Sequence, residues 1–369
     1  MSRRAHYGTS NNMKFVQIII KGTALLFWLP AFLFVACKGD KEANAPDVSH
    51  INVDLDLTRF EQKLLADTAI NATELHKLMN DHPSFSEVYF NHVMPKGDGI
   101  EITGDEEIRF QNILSWINHP RTRWLYDTVQ QVFPDLKEVE SHLESAFRYG
   151  KYYFPDKETP RIYTTISDFG YFPFLYAEDS LRDGIGISLE MFLGEEFPYL
   201  KYTSLNNAFS DYLTRSYNKD HITRRVLEVW VDDLAGPPSG DRLLDLIIHN
   251  GKKLYILESL MPEAHDSVII DYPGEKLKYV ENTERNIWYH FTTQDMLYET
   301  SLNKIQKFIG PSPTSPGMPP QAPGNTGSWL GWQIVRSYMA THPETTLMEL
   351  IAKKDAQEIL DESGYRPPR

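Results

Sequence analysis

The stretch Leu243–Met261, LLDLIIHNGKKLYILESLM, constrains this chain more than any other. At helical spacing Leu243, Ile247, Asn250, Leu254, Leu257 and Met261 form one stripe, and Leu244, Ile248, Gly251 and Tyr255 form the adjacent one. Few positions remain for a solvated face, so the segment reads as a central helix packed on most sides. Its middle, His249-Asn250-Gly251-Lys252-Lys253, interrupts the pattern. A glycine inside a helix costs about 1 kcal/mol relative to alanine, and polar groups in a buried helix need partners. A metal, a ligand or a neighbouring helix has to offset those costs. Which of the three does so is the functional question the sequence poses.

The chain has 369 residues, enough for one large domain or two smaller ones with an ample core. Helical spacing recurs over Leu57–Leu65, Glu74–Asn80, Asp105–Trp116, Leu136–Arg148, His221–Asp233, Asn282–Thr300 and Trp329–Thr341. Thr103 followed by Glu106 reads as a capping box. β-Branched and aromatic runs at Arg161–Ser167, Phe172–Ala177 and Gly184–Leu189, separated by turn residues, predict a small antiparallel meander. Pro311–Pro323 holds six prolines among Ser, Thr and Gly and reads as an extended, poorly ordered loop. The expected class is α+β, predominantly helical with one small antiparallel sheet. Residues 53–369 form a single domain on this reading, with a division near residue 155 as the alternative.

The only cysteine is Cys37, so no internal disulfide can form. It follows a basic start, the apolar run from Thr23 to Ala36 and a small residue at the cut. That order is the grammar of a secretory signal, and a cysteine directly after it resembles a bacterial lipoprotein signal. Residues 1–36 are then the signal peptide, Cys37 carries lipid, and 37–52 is a flexible tether. A retained transmembrane anchor over Phe15–Ala36 is the rival, although Lys21, Gly22 and Pro30 interrupt it. Met13 is an alternative start that gives a more typical signal length. The formal charge of −14 becomes −18 without residues 1–36, which carry Arg3, Arg4, Lys14 and Lys21 and no acid. Such an acidic chain lacks the basic footprint that nucleic-acid binding needs.

A zinc-peptidase helix presents two His four residues apart, with a Glu after the first as general base. Here His249 occupies the first position, but Asn250 cannot act as a base and Lys253 places a cation where the second ligand belongs. Other histidines that could complete a site, His82, His92, His221, His265 and His290, have no partner at that spacing. Glu178-Asp179, with Asp183 close behind, falls on a turn beside the predicted sheet, where solvated acids are commoner than a glycosidase pair. Tyr152, Tyr153, Tyr163, Phe169, Tyr171, Phe172, Phe174 and Tyr176 cluster through the sheet region. Core packing is the favoured reading of these rings; any left exposed would offer a patch to a protein or a glycan.

Several of these segments together carry a resemblance. Ala36-Cys37, Arg59-Phe60-Glu61-Gln62, His82-Pro83-Ser84-Phe85 leading to Tyr89, Ile185–Gly194, Gly251-Lys252-Lys253-Leu254-Tyr255 and Gly331-Trp332-Gln333-Ile334-Val335 are similar to the gliding motility lipoprotein GldB family of Bacteroidota. The similarity runs over roughly residues 55–360 and rests on order and spacing. It implies a lipid-anchored cell-envelope protein needed for gliding, working beside components of the gliding and type IX secretion apparatus. More distantly, the central helix and the helix at Gly331–Tyr338 resemble zincin-type zinc peptidases. That likeness places His249 at the first metal position and implies a degenerate zincin-like arrangement, because Asn250 and Lys253 depart from its Glu and His. The expectation is therefore a non-catalytic envelope scaffold with no metal and no cofactor. His249, Asn250 and Lys253 remain as a vestigial polar site, with His249 and Lys253 buried and hydrogen-bonded and Gly251 admitting a second helix. An envelope metallohydrolase and a glycan-binding lipoprotein are the alternatives. Lys38, where an inner-membrane lipoprotein often carries Asp, points to the outer membrane.

Overall fold

The central helix forms where its pattern places it. Helix α10, Leu243–Leu260, starts where Asp245 accepts the Arg242 amide at 3.1 Å and its guanidinium at 2.6 Å, and it stops before Pro262. A second long helix, α14 (Thr326–Thr341), lies across it in a contact that only glycines permit. A Cβ on Gly331 would sit 1.9 Å from the Ile247 carbonyl oxygen, and one on Gly251 would sit 2.3 Å from the Gly331 backbone. Gly327, one turn before Gly331, would meet the Phe308 carbonyl at 2.8 Å. The neighbouring helix is thus what offsets the helix-interior glycine.

The computed structural model describes residues 45–67, 70–94, 106–203, 209–293 and 295–368. Helices α1 (Phe60–Leu65), α2 (Ala72–Asp81), α3 (Pro83–Val88), α4 (Glu106–Ile117), α5 (Pro120–Val132) and α6 (Lys137–Tyr153) precede most of the sheet. After the sheet come α7 (Tyr199–Tyr202), α8 (Asp211–Thr214), α9 (Ile222–Ala235), then α10, α11 (Asp266–Ile270), α12 (Gly274–Thr293) and α13 (Leu302–Ile309). Helices α15 (Leu347–Ala352) and α16 (Ala356–Ser363) follow α14. Asn71 and Glu74 form a reciprocal capping box on α2, whereas the one expected at Thr103 lies outside the described residues. One core runs through both sides of residue 155, from Phe60 to Ile359. Val48 and Val53 are buried, so a free tether can reach no further than about Asp47. Cys37 and the whole of the expected signal lie outside the described residues; among those described, no helix is long and apolar enough to cross a membrane.

The sheet corrects the expected meander. Its strands are β1 (Leu57–Arg59), β2 (Arg161–Thr165), β3 (Phe174–Ala177) and β4 (Asp183–Ser188), in the order β1-β2-β4-β3. β2 runs parallel to both β1 and β4, and only β3 is antiparallel, paired with β4. The tight turn at residues 178–182 closes β3 and β4 as a hairpin, and at Gly184 and Gly186 any Cβ would come 2.2 Å from the Tyr176 ring and 2.1 Å from the Phe174 ring. Those rings cover β4 and fix β3 on its outer side. The inner edge of β4 is left to β2. β1 falls where the spacing of Leu57–Leu65 predicts the first turn of a helix; it is extended because it pairs with Ile162–Thr164, a partner about a hundred residues away. Helix α12 also begins earlier than its periodicity predicts, directly after Pro273. The proline-rich loop is built, not loose: Ser315 hydrogen-bonds Pro323 and Thr326, and Ala322 is fully buried.

Candidate functional site

The polar pentad splits between two surfaces. His249 faces a narrow crevice with Ser239, Asp245, Lys252 and Lys354. Its ring is half-buried and makes no hydrogen bond among the described residues; burial, then Lys253 and Lys252, push its pKa down to about 4. Asn250 points elsewhere, donating its amide to the Ile309 carbonyl at 3.0 Å and to the Ser328 hydroxyl at 2.8 Å. Lys252 is the buried lysine, 7% exposed, with its ammonium on the Lys353 carbonyl. Burial and the Lys354 and Lys353 charges lower it to about 8. Lys253 is instead ion-paired with Asp232 at 2.8 Å and reaches solvent. The expectation that His249 and Lys253 are both buried and hydrogen-bonded therefore does not hold. One turn of helix carries the two side chains to the mouths of different cavities.

Lys253 and Asn250 belong to a charged cleft of about 140 Å³ between α9, α10 and the start of α14. Helix α9 supplies the clustering by its own periodicity. Arg224 and Arg225 stand four and three residues before Glu228 and contact it at 2.5 and 3.0 Å. Arg225 also grips Asp271 at 2.6 Å, and Arg215 reaches the same carboxylate at 3.2 Å. Burial alone would raise Glu228, but Arg224, Arg225 and Lys253 overturn that and hold its carboxyl at about 2. Two residues of the lining, Asp271 and Asn325, adopt left-handed backbone conformations with φ of 59° and 62°. Left-handed non-glycine residues persist where surrounding contacts over-determine them, and they cluster at functional sites. Here the guanidiniums of Arg215 and Arg225 fix Asp271 through its side chain.

This arrangement suits recognition. Its ionic groups satisfy one another, and its cations outnumber its carboxylates, Arg215, Arg224, Arg225 and Lys253 against Glu228, Asp232 and Asp271. Among the described residues no group of three or more His, Cys, Asp or Glu stands close enough to hold a metal ion. Three of the remaining candidate histidines have local partners: His82 with the Tyr163 hydroxyl at 3.0 Å, His221 with Asn218 at 2.8 Å, and His265 capping α11 through Ser267. Glu178 accepts from Arg161 and Tyr176, while Asp179 accepts the turn amides of Leu181 and Arg182. Of the aromatic cluster, Tyr163, Phe169 and Tyr176 are buried, and Tyr152 and Tyr171 are the exposed members.

The sequence reading missed this cleft. Arg224-Arg225 before Glu228 was a visible helical signal, but Arg215 and Asp271 come from short irregular stretches with no period. A family model described as gliding motility protein GldB matches residues 41–367. No curated protein and no solved structure matches the chain.

Proposed function

The chain belongs to the gliding motility protein GldB family, and from that premise we propose a non-catalytic, lipid-anchored envelope protein that holds partners of the gliding and type IX secretion apparatus. The carrying observation is what the central pentad is bonded to. Asn250 ties α10 to the end of α13 and to α14, Lys252 ties it to the segment before α16, and Lys253 ties it to α9. Gly251 seats α14. Four of the five residues at the position a hydrolase helix would use thus hold helices together. Lipidation of Cys37, followed by Lys38, supplies the anchor in this reading and favours the outer membrane. The charged cleft is the place where a partner engages.

Three experiments test this. Replacing His249 by Ala should leave gliding intact and change unfolding free energy by no more than about 1 kcal/mol. The purified protein, free of chelator and of a histidine tag, should hold well under one zinc per chain. A tightly held zinc near one per chain, lost with His249→Ala together with gliding, would sink the proposal in favour of an envelope metallohydrolase. For the anchor, Cys37→Ser should release the protein from the membrane fraction and abolish fatty-acid labelling. An acylated Cys37→Ser protein would show that the lipid sits elsewhere.

A further inference from the structure

A second recess lies away from the charged cleft, and its chemistry is the reverse. Helix α12 presents Tyr279, Thr283, Asn286 and His290 at helical spacing along one side, with Tyr289 beside them. The opposite wall is Gly317–Pro319 of the proline-rich loop. Together they enclose a groove of about 300 Å³. That wall is pre-formed: Ser315 holds Pro323 at 2.6 Å, and Lys276 reaches across from α12 to the Gln321 carbonyl at 3.0 Å. Gly317, at φ +70°, has a positional role here, because a Cβ would stand 3.0 Å from the His290 ring and narrow the groove.

We propose that this groove binds a neutral oligosaccharide. Among the described residues no Asp, Glu, Lys or Arg lines it, in a chain of which 24% is charged. An ionic ligand would find no counter-charge there. Its polar groups are uncommitted: among the described residues the Asn286 amide, the Tyr279 and Tyr289 hydroxyls and the His290 ring make no hydrogen bonds. Burial lowers the His290 pKa, so the ring is neutral at neutral pH. Thr283 donates to the Tyr279 carbonyl at 2.7 Å and keeps its lone pairs as acceptors. A purely apolar ligand would cover these groups and leave them without the bonds they make to water. A sugar meets both demands. Its C–H face lies on an aromatic ring, and its hydroxyls both donate and accept. Tyr289, 67% exposed, is the open platform for such a ring.

The test uses the full-length protein in a detergent without a sugar headgroup. Maltotriose and chitotriose are the neutral probes, trigalacturonate is the charged control and a proline-rich decapeptide is the competing occupant, all followed by saturation-transfer NMR. We expect at least one neutral trisaccharide to bind, trigalacturonate not to bind, and Tyr289→Ala to weaken binding about three- to tenfold. Asn286→Ala should weaken it as well. Both residues are exposed, so both variants should keep the wild-type melting temperature. Failure of both neutral probes, equal binding in Tyr289→Ala, or displacement of the sugar by the decapeptide would each overturn the assignment. The charged cleft and the reading built on it are untouched by any of these outcomes.

Discussion

Gly331→Ala lowers the unfolding free energy by about 4 kcal/mol or more, and Gly331→Leu yields no folded protein. The added Cβ would fall 1.9 Å from the Ile247 carbonyl oxygen, an atom of the central helix backbone. No rotamer change relieves a clash with backbone, so α10 and α14 must separate. These two helices carry Ile247, Ile248, Leu254, Trp332, Ile334 and Val335 into the core, and separation loosens packing along the whole crossing. It also reaches the cleft, because the 2.8 Å bond from Asn250 to Ser328 spans the same pair of helices. Gly274→Ala is the matched control. Nothing lies within 4 Å of its added Cβ and the residue opens α12, so its change should stay within about 1 kcal/mol. Urea unfolding of the three proteins decides the matter. A Gly331→Ala variant as stable as Gly274→Ala would mean that the two helices do not meet this closely.

That crossing also shows how much a sequence can disclose. Gly251 in an otherwise apolar helix demands a reason, and a close neighbouring helix is one that its missing side chain allows. The other half of the contact, Gly327 and Gly331 one turn apart, was equally present in the sequence. Which glycine meets which helix is tertiary information, and no period carries it. The strands behaved the same way. Three of the four lie in β-branched and aromatic runs, while their order rests on the parallel pairing of β2 with β4, which no run announces. The shortest, β1, exists only because β2 pairs with it. The charged cleft was least legible, since Arg225 and Asp271 are brought together by a fold that neither residue announces. His249 drew attention for its place in a motif, yet the pairing among its neighbours is what the structure makes meaningful.

Replacing Glu190 by Gln should stabilise the protein at pH 8 and leave it slightly less stable at pH 5. Glu190 follows β4 and is fully buried. One carboxylate oxygen accepts the Ser167 amide and hydroxyl at 2.7 Å each and the Phe169 amide at 3.1 Å; the other is buried without a partner among the described residues. Burial raises its pKa to about 7, against the three donors that favour the ionised form. Between the unfolded value near 4.5 and the folded value near 7, the folded chain holds a proton that the unfolded chain has released. Stability attributable to Glu190 is therefore complete below about pH 4.5 and falls as pH rises through 7, by about 3 kcal/mol in all. His249 works in the opposite direction, its lowered pKa making acid destabilising, so the wild-type profile mixes the two. The Gln variant isolates the first. It keeps the acceptor oxygen that holds Ser167 and Phe169, and so keeps the left-handed turn at Asp168 and Phe169 closed. It removes the titration, while its amide brings two N–H donors to a position with no partner among the described residues, one more than the protonated carboxyl, which trims the gain at pH 8 to about 1–2 kcal/mol. Chemical unfolding at the two pH values gives the answer directly. An equal difference between variant and wild type at pH 5 and pH 8 would mean that Glu190 is ionised across the range, with a partner for its second oxygen.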